Sequence, residues 1–213
     1  MHVVITGAGR GIGKALADRY RAAGHRVTGT ARDGSADLVL DVADPAGHRA
    51  MAAALAGDPV DLLICNAGIY PDKGQRLDDG YPPEMWAEAF AVNVTGTFLA
   101  VQALLPNLRA ATGKIAVISS QMASDQRAPG GSYIYRASKA AVLNLGRNLS
   151  TDLRAEGIAV GIYHPGWVQT DMGGAAAEIT VDEAADGLVT RFAALDLADT
   201  GCFRTWDGRE HAY

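Results

Sequence analysis

The stretch Thr6-Gly7-Ala8-Gly9-Arg10-Gly11-Ile12-Gly13 joins a short apolar run, Val3 to Thr6, to a segment with helical periodicity. A strand that ends against a helix N-terminus leaves free backbone N–H groups and the positive end of the helix dipole facing one point. Glycines let the backbone approach a ligand, although their spacing here differs from the G-x-G-x-x-G fingerprint. The turn therefore predicts a phosphate-binding site, with a tight turn that holds no ligand as the alternative.

The rest of the chain alternates short apolar runs with longer segments of helical spacing, which is typical of a parallel sheet with helices on both faces. The predicted strands are Val3–Thr6, Arg26–Thr30, Asp37–Leu40, Asp61–Cys65, Lys114–Ser119, Ile158–Tyr163 and Cys202–Thr205. The predicted helices are Ile12–Ala23, Pro45–Ala56, Pro83–Arg109, Tyr133–Ala155 and Val181–Ala194, the last with a capping box at Thr180 to Glu183. We expect one Rossmann-type α/β domain over residues 1–213. It would be a three-layer α/β/α sandwich around a central, mainly parallel sheet of about seven strands.

Composition favours a small-molecule partner. The formal net charge is -5, and the lysines and arginines are scattered, which disfavours nucleic acid and anionic membranes. We expect no apolar stretch to reach the roughly twenty residues that cross a bilayer. Cys65 and Cys202 lack metal-ligand or C-x-x-C spacing, so no metal site is predicted. The N-terminal segment lacks the features of an export signal, and we expect a cytoplasmic protein.

The end of the second predicted strand, Thr30-Ala31-Arg32, indicates which dinucleotide would bind. An NAD site needs a carboxylate about twenty residues after the glycine turn, whereas an NADP site needs a cation for the 2′-phosphate. No acid stands at Ala31, while Arg32 follows it and Arg10 lies inside the glycine turn. The two cations predict NADP(H), with NAD(H) as the alternative because Asp33 stands two residues beyond Ala31.

Tyr135 and Lys139 stand four residues apart in a predicted helix, so both lie on one helix face. A phenol has an ordinary pKa of about 10, and a nearby ammonium group favours its phenolate and lowers that pKa. The pair is therefore a candidate proton donor and acceptor for a carbonyl/alcohol couple. The alternative is a packed ring beside a solvated amine.

Several short motifs occur together along the whole chain. They are the glycine turn, Asn66-Ala67-Gly68, Asn93, Ser119-Ser120, Tyr135 with Lys139, and Pro165-Gly166-Trp167-Val168-Gln169-Thr170. In this order and spacing they resemble the short-chain dehydrogenases/reductases, in particular the branch of C-factor-like and sniffer-like carbonyl reductases. The resemblance implies a dinucleotide-dependent oxidoreductase.

The resemblance also implies catalytic roles. Tyr135 would be the general acid in reduction, and Lys139 would lower its pKa and bind the nicotinamide ribose. Ser120 would orient the carbonyl, and Asn93 would hold a water that links Lys139 to solvent. The loop between Ser120 and Tyr135 is longer than the family usually shows, so Ser119 stays open as the catalytic serine.

Further positions complete the predicted cofactor site. By resemblance, Asp41 and Val42 would flank the adenine, Asn66 to Gly68 would lie beside the ribose, and Val168 and Thr170 would bind the carboxamide and phosphate end. The full predicted set is Gly7, Arg10, Gly11, Ile12, Gly13, Arg32, Asp41, Val42, Asn66, Ala67, Gly68, Tyr135, Lys139, Pro165, Gly166, Val168 and Thr170.

These residues predict hydride transfer between NADPH and a ketone, aldehyde or quinone-like carbonyl, with reduction as the favoured direction. The short segment Asp171 to Ile179, which leads into the next helix, predicts a shallow substrate pocket. The rival hypothesis is an NADP(H)-binding sensor or signalling module without turnover. Association into a dimer or tetramer through the two long helices is a further implication of the resemblance.

Overall fold

The computed structural model describes residues 1–213 and contains one sheet of seven strands. The strands are β1 (His2–Thr6), β2 (Arg26–Ala31), β3 (Leu38–Val39), β4 (Leu62–Cys65), β5 (Lys114–Ile118), β6 (Ala159–His164) and β7 (Phe203–Thr205). They lie in the order β3-β2-β1-β4-β5-β6-β7, and every neighbouring pair is parallel. The predicted α/β class is confirmed, and the sheet is wholly rather than mainly parallel.

Six α-helices connect and cover the strands. They are α1 (Gly11–Ala22), α2 (Pro45–Ala54), α3 (Pro83–Phe90), α4 (Gly96–Ala111), α5 (Tyr133–Leu153) and α6 (Val181–Ala194). The predicted capping box of α6 is confirmed, because the Thr180 hydroxyl accepts from the Glu183 N–H and the Glu183 carboxylate accepts from the Thr180 N–H. Asp44 caps α2 in a similar way through its carboxylate.

Two apolar clusters pack against the sheet, one on each face. In β1, Val4 faces the cluster shared with α2, α4 and α5, whereas Val3 and Ile5 face the cluster shared with α1 and α6. Successive side chains of a strand point to opposite faces, so covering both faces requires apolar residues at every position. This double burial explains why the strands are continuous apolar runs.

Two predicted elements differ from the structure. The segment predicted as one helix, Pro83–Arg109, is interrupted by a π-helical turn at Ala91–Thr95, which carries Asn93. The third strand was predicted over Asp37–Leu40 but pairs only at Leu38–Val39, because it is an edge strand with β2 as its single neighbour.

The expectation that no apolar stretch approaches membrane-spanning length was wrong. The helical run Pro83–Ala111 is long and apolar enough, by length and composition, to cross a membrane. In this fold, 44% of its most apolar 18-residue segment is buried. Leu104 and Leu108 lie in the core cluster that packs against the sheet. Burial of one face against the sheet accounts for the apolar composition of this run.

The carboxyl ends of β1 and β4 lie side by side, where the strand order reverses. The chain leaves β1 towards β2 and β3 on one side and returns to β4 on the other. Parallel sheets of this kind form a crevice at such a reversal. The glycine turn follows β1, and Asn66-Ala67-Gly68 follows β4, so the topology brings these two motifs to the same crevice.

Candidate active site

A cleft of about 320 Å³ lies at the carboxyl ends of the central strands. It is lined by nearly all of the predicted cofactor residues, namely Gly7, Arg10, Gly11, Ile12, Gly13, Arg32, Asp41, Val42, Asn66, Ala67, Gly68, Tyr135, Lys139, Pro165 and Thr170. A larger, polar depression of about 570 Å³ lies between α5 and β7 and contains none of the predicted residues. The smaller cleft is therefore the candidate site.

The glycine turn needs glycine for reasons of space and backbone conformation. Gly7 has a φ of 70°, and a Cβ atom there would lie 2.9 Å from the Cα atom of Ala67. A Cβ atom on Gly13 would lie 2.2 Å from the Gly7 carbonyl oxygen. No side chain caps α1 at Arg10, so the first N–H groups of the helix are left for another acceptor. The turn is thus a cradle with free donors.

Asn66 ties the ends of β1 and β4 together. Its Nδ2 donates to the carbonyl oxygens of Thr6 at 3.1 Å and Gly7 at 3.0 Å. The Thr6 hydroxyl in turn accepts from the backbone N–H groups of Asn66 and Ala67 at 3.1 and 3.2 Å. These bonds fix the floor of the cleft between the two strand ends.

The rim of the cleft beyond β2 carries both signs of charge. Arg32 is exposed there, and Ala31 is buried at the end of the strand. The Asp33 carboxylate accepts from Ser35, and these hydrogen bonds lower the pKa of Asp33. Arg10 forms an exposed ion pair with Asp171. Two cationic side chains, Arg10 and Arg32, therefore lie at this end of the cleft, and Arg10 is ion-paired with Asp171.

Asp41 and Val42 lie at the next strand end along the cleft. The Asp41 carboxylate accepts from the Ala43 N–H at 2.9 Å, so it also shapes the turn that leads into α2. Val42 is buried and belongs to the core cluster beneath the cleft. This wall of the cleft is therefore apolar with one acidic edge.

Tyr135 and Lys139 are both buried on one face of α5 at the inner end of the cleft. The Lys139 Nζ lies 5.7 Å from the centroid of the Tyr135 ring and donates to the Ile118 carbonyl oxygen at 3.0 Å. The helical spacing thus places the amine beside the phenol ring, held by the end of β5.

The two adjacent serines after β5 point to different partners. The Ser119 hydroxyl donates to the Lys139 carbonyl oxygen at 3.0 Å and is buried against α5. The Ser120 hydroxyl interacts with the Tyr135 phenol and also accepts from the Met122 N–H at 3.1 Å. Ser120 is therefore the serine that lowers the pKa of the phenol, whereas Ser119 lines the cleft and Ser120 lies outside its lining.

Burial dominates the protonation of both central groups. Burial raises the pKa of Tyr135 to about 12. The Ser120 hydroxyl lowers this pKa, whereas Tyr70 and Asp72 also raise it. Burial lowers the pKa of Lys139 to about 8. The expectation that Lys139 lowers the pKa of Tyr135 is therefore not met: burial is the largest influence on that pKa, and the group that lowers it is Ser120. At neutral pH the phenol is protonated and can act as an acid.

Asn93 lies in the π-helical turn, and both atoms of its amide group are hydrogen-bonded. Its Oδ1 accepts from the Ile69 N–H at 2.8 Å, and its Nδ2 donates to the Ile69 carbonyl and the Ser138 hydroxyl, both at 2.9 Å. Gly68 lies between Asn93 and Lys139, since a Cβ atom there would be 3.2 Å from the Asn93 Oδ1 and 3.4 Å from the Lys139 Nζ. Asn93 thus links the loop after β4 to α5 beside the amine.

The sequence profile of a known family, described as short chain dehydrogenase, matches residues 1–179. The chain belongs to the short-chain dehydrogenase/reductase family. It is thereby an oxidoreductase by family, and the resemblance drawn from the motifs is confirmed.

Individual relatives agree with this assignment. C-signal from Myxococcus xanthus is 38% identical over 164 residues, which cover 76% of this chain and 98% of that protein. The crystal structure of NADPH-bound carbonyl reductase from chicken fatty liver has a TM-score of 0.91 and 32% identity, covering 100% of this chain and 98% of that chain. Carbonyl reductase Sniffer of D. melanogaster has a TM-score of 0.93 and 26% identity, covering 100% and 99%.

Two predicted cofactor residues of this short-chain dehydrogenase lie outside the cleft lining. Gly166 has a φ of 93°, and a Cβ atom there would lie 2.4 Å from the Ile179 Cδ1. Val168 is buried, and its backbone forms an isolated bridge with Ile179. Both residues therefore shape the base of the segment that follows β6.

Ser119 and Asp33, which the sequence left open as alternatives, also line the cleft. Further lining residues were not predicted, namely Gly9, Ala31, Ser35, Leu40, Ile69, Val92, Ile118 and Met172. Most are small or apolar, and in a sequence such residues look the same whether they face a core or a cleft. Gly9 stands inside the glycine turn, and that position was the sequence signal that could have added it to the predicted set. In the structure a Cβ atom on Gly9 would lie 2.1 Å from the Ser35 hydroxyl oxygen.

Proposed function

We propose that this short-chain dehydrogenase is an NADPH-dependent carbonyl reductase that converts a ketone, aldehyde or quinone-like carbonyl to an alcohol. The observation that carries the proposal is a single cleft with a glycine cradle at one end and a buried, protonated phenol at the other. The first end suits a pyrophosphate, and the second suits proton donation.

The residues of the cleft fit a dinucleotide phosphate. The uncapped N-terminus of α1 and the glycine cradle would hold the pyrophosphate. Arg32 and Arg10 would bind the 2′-phosphate, Arg10 by exchanging its exposed partner Asp171. Ala31 offers no carboxylate to a ribose 2′-hydroxyl, which favours NADPH over NADH. The NADPH-bound relative supports the same choice.

The remaining predicted contacts follow the length of the cleft. Asp41 and Val42 would flank the adenine, and Asn66 to Gly68 would support the floor beneath the riboses. Lys139 would bind the nicotinamide ribose, and Pro165 and Thr170 would border the nicotinamide.

When bound, NADPH supplies the hydride that the carbonyl carbon accepts. Tyr135, protonated at neutral pH, donates its proton to the carbonyl oxygen, so the product is a neutral alcohol and Tyr135 becomes a phenolate. Ser120 orients the carbonyl oxygen through its hydroxyl. Lys139, with a pKa of about 8, stabilises the phenolate and supports its reprotonation. Asn93, which ties the loop after β4 to α5 beside Lys139, would hold the water that links Lys139 to solvent.

Cofactor titration and turnover test the proposal together. Purified protein is titrated with NADPH and NADH, and nicotinamide absorbance is followed with a panel of ketones, aldehydes and quinones. We expect NADPH to bind at least about tenfold more tightly than NADH, and Arg32→Ala to remove most of that preference. Lys14→Ala, on the exposed face of α1, is the matched control. Tighter binding of NADH would contradict the choice of cofactor.

A second candidate function is a signalling role without turnover, which the relative named C-signal suggests. The intact set of Tyr135, Lys139, Ser120 and Asn93 argues against it, because a module that only binds NADP(H) needs no proton donor. Tight NADPH binding with no oxidation across the whole panel would favour this candidate.

A further inference from the structure

The helix that carries Tyr135 does not cap its own N-terminus. Ser132 precedes α5 with a φ of 50° and makes no capping hydrogen bond. The acceptor comes instead from Asp72, which follows β4 and is fully buried. The Asp72 Oδ2 accepts from the Ile134 N–H at 2.8 Å, and its Oδ1 accepts from the Tyr135 N–H at 3.2 Å. A distant carboxylate therefore holds the first turn of α5.

The same segment also contacts the Tyr135 side chain. The Tyr70 ring stacks on the Tyr135 ring, with centroids 4.2 Å apart and an interplanar angle of 20°. The Tyr70 hydroxyl hydrogen-bonds to the Ser132 hydroxyl at the start of α5. The backbone of Tyr135 is thus held by Asp72, and its ring is held by Tyr70.

We propose that Tyr70 and Asp72 are positioning residues for proton transfer by Tyr135, a role that rests on the proposed function. Tyr70 restricts the phenol ring, and Asp72 fixes the backbone from which the ring extends. Proton transfer depends steeply on donor position, and a displacement of about 1 Å can reduce turnover about a hundredfold. The alternative is that both residues only stabilise the fold.

The charges around Tyr135 provide a readout that a purely structural role would not change. Tyr70 and Asp72 from the loop after β4, and Lys139 from α5, are the ionisable groups that the structure places against it. Asp72 contributes to the raised pKa of Tyr135. Removing its charge therefore lowers the pKa of the phenol, and the alkaline limb of the reduction profile, where the phenol loses its proton, moves to lower pH.

Four variants separate the two roles. Asp72→Ala removes the acceptor, whereas Asp72→Asn keeps one oxygen, which suffices because Oδ2 alone lies within 3.3 Å of both N–H groups. Tyr70→Leu removes the stacked ring, and Tyr70→Phe keeps it. Asp79→Asn, at an exposed position in the same loop, is the control.

We expect Asp72→Ala and Tyr70→Leu to reduce kcat by about tenfold to a hundredfold, with the Kd for NADPH within about threefold of wild type. Asp72→Asn and Tyr70→Phe should recover most of kcat. Asp72→Asn should also move the alkaline limb to lower pH. Asp79→Asn should have the kcat of wild type and the same alkaline limb of the pH profile.

A second measurement needs no turnover. In ¹³C NMR spectra of protein labelled at tyrosine Cζ, Tyr135→Phe identifies the Tyr135 signal. The Tyr135 signal of Asp72→Asn should begin to titrate at lower pH than that of wild type, whether or not Asp72→Ala folds. Wild-type kcat in folded Asp72→Ala and Tyr70→Leu, or an unchanged titration in Asp72→Asn, would overturn the positioning role. No carbonyl-dependent oxidation of NADPH by wild type across the panel would instead refute the proposed function, which keeps the two failures distinct.

Discussion

Burial moves the pKa values of two neighbouring side chains in opposite directions. The phenol of Tyr135 is kept protonated and the ammonium group of Lys139 loses its proton more easily, because each charged form is penalised in the same apolar surroundings. An acid that stays protonated to high pH is suited to donate to a carbonyl oxygen. Lys139, charged at neutral pH, is suited to stabilise the phenolate that remains.

The two serines after β5 should give separable phenotypes. Ser120→Ala should reduce kcat by about a hundredfold, because it removes the hydroxyl that acts on Tyr135. It should also lower the free energy of unfolding by about 1 kcal/mol, because the same hydroxyl accepts from the Met122 N–H. Ser119→Ala should lower the free energy of unfolding by about 1 kcal/mol, because it removes a buried hydrogen bond to α5. Steady-state kinetics and urea unfolding measure the two effects. A loss of kcat in Ser119→Ala but not in Ser120→Ala would make Ser119 the catalytic serine.

For individual residues, the sequence predicts contacts between side chains that are close along the chain. The spacing of Tyr135 and Lys139 places them on one helix face without further information. The direction of the Tyr135 pKa could not be predicted in this way, because it depends on burial and on Asp72, 63 residues earlier in the chain. No local motif indicates that an aspartate in a loop will cap a helix so far downstream.

At the scale of elements, the glycine turn joins β1 to α1 and also packs against the loop that follows β4. Its glycines were predicted from ligand approach, whereas the structure adds a packing reason, since a Cβ atom on Gly7 would meet Ala67. The capping box of α6 was readable because it is local. The π-helical turn at Asn93 was not, since apolar periodicity barely distinguishes it from a continuous helix.

Two glycines with similar backbone conformations test the packing reason. Gly57→Ala should cost about 1 to 2 kcal/mol in unfolding free energy, because its φ is 81° and no atom lies within 4 Å of the new Cβ. Gly7→Ala has a φ of 70° and meets Ala67 as well, so it should cost a further 1 to 3 kcal/mol or so and weaken NADPH binding. Urea unfolding compares them. Equal costs would show that the turn and the β4 loop do not depend on close approach.

At the scale of the whole molecule, the strand-order reversal brings together motifs that are far apart in the chain. The order of strands explains why the glycine turn, Asn66 and Lys139 line one cleft. The fold class was predictable because alternating apolar runs and helical segments dictate a parallel sheet. The identity of the substrate was not, because the loops around the cleft entrance carry no motif that specifies it.

The buried amine should also make global stability depend on pH. Between about 8 and the ordinary value of 10.5, Lys139 is protonated in the unfolded chain and neutral in the fold, so stability rises with pH. We expect the free energy of unfolding to rise from pH 7 to 9.5 by about 2 kcal/mol more in wild type than in Lys139→Met. Urea unfolding at both pH values measures this, with Lys14→Met, at an exposed position, as the control. An equal rise in wild type and Lys139→Met would contradict the lowered pKa of Lys139.

Tyr135 has the opposite effect on stability above pH 10. Its pKa is raised in the fold, so the unfolded chain loses this proton first and the free energy of unfolding falls as the pH rises.

The central claim is that Tyr135 donates the proton in NADPH-dependent carbonyl reduction. The most direct measurement is the rate of NADPH oxidation by wild type and Tyr135→Phe at saturating carbonyl substrate, with NADPH binding measured in parallel. The account predicts a loss of about a hundredfold to ten-thousandfold in kcat, with the Kd for NADPH within about threefold. Tyr135→Phe that binds NADPH and reduces the carbonyl at the wild-type rate would contradict it.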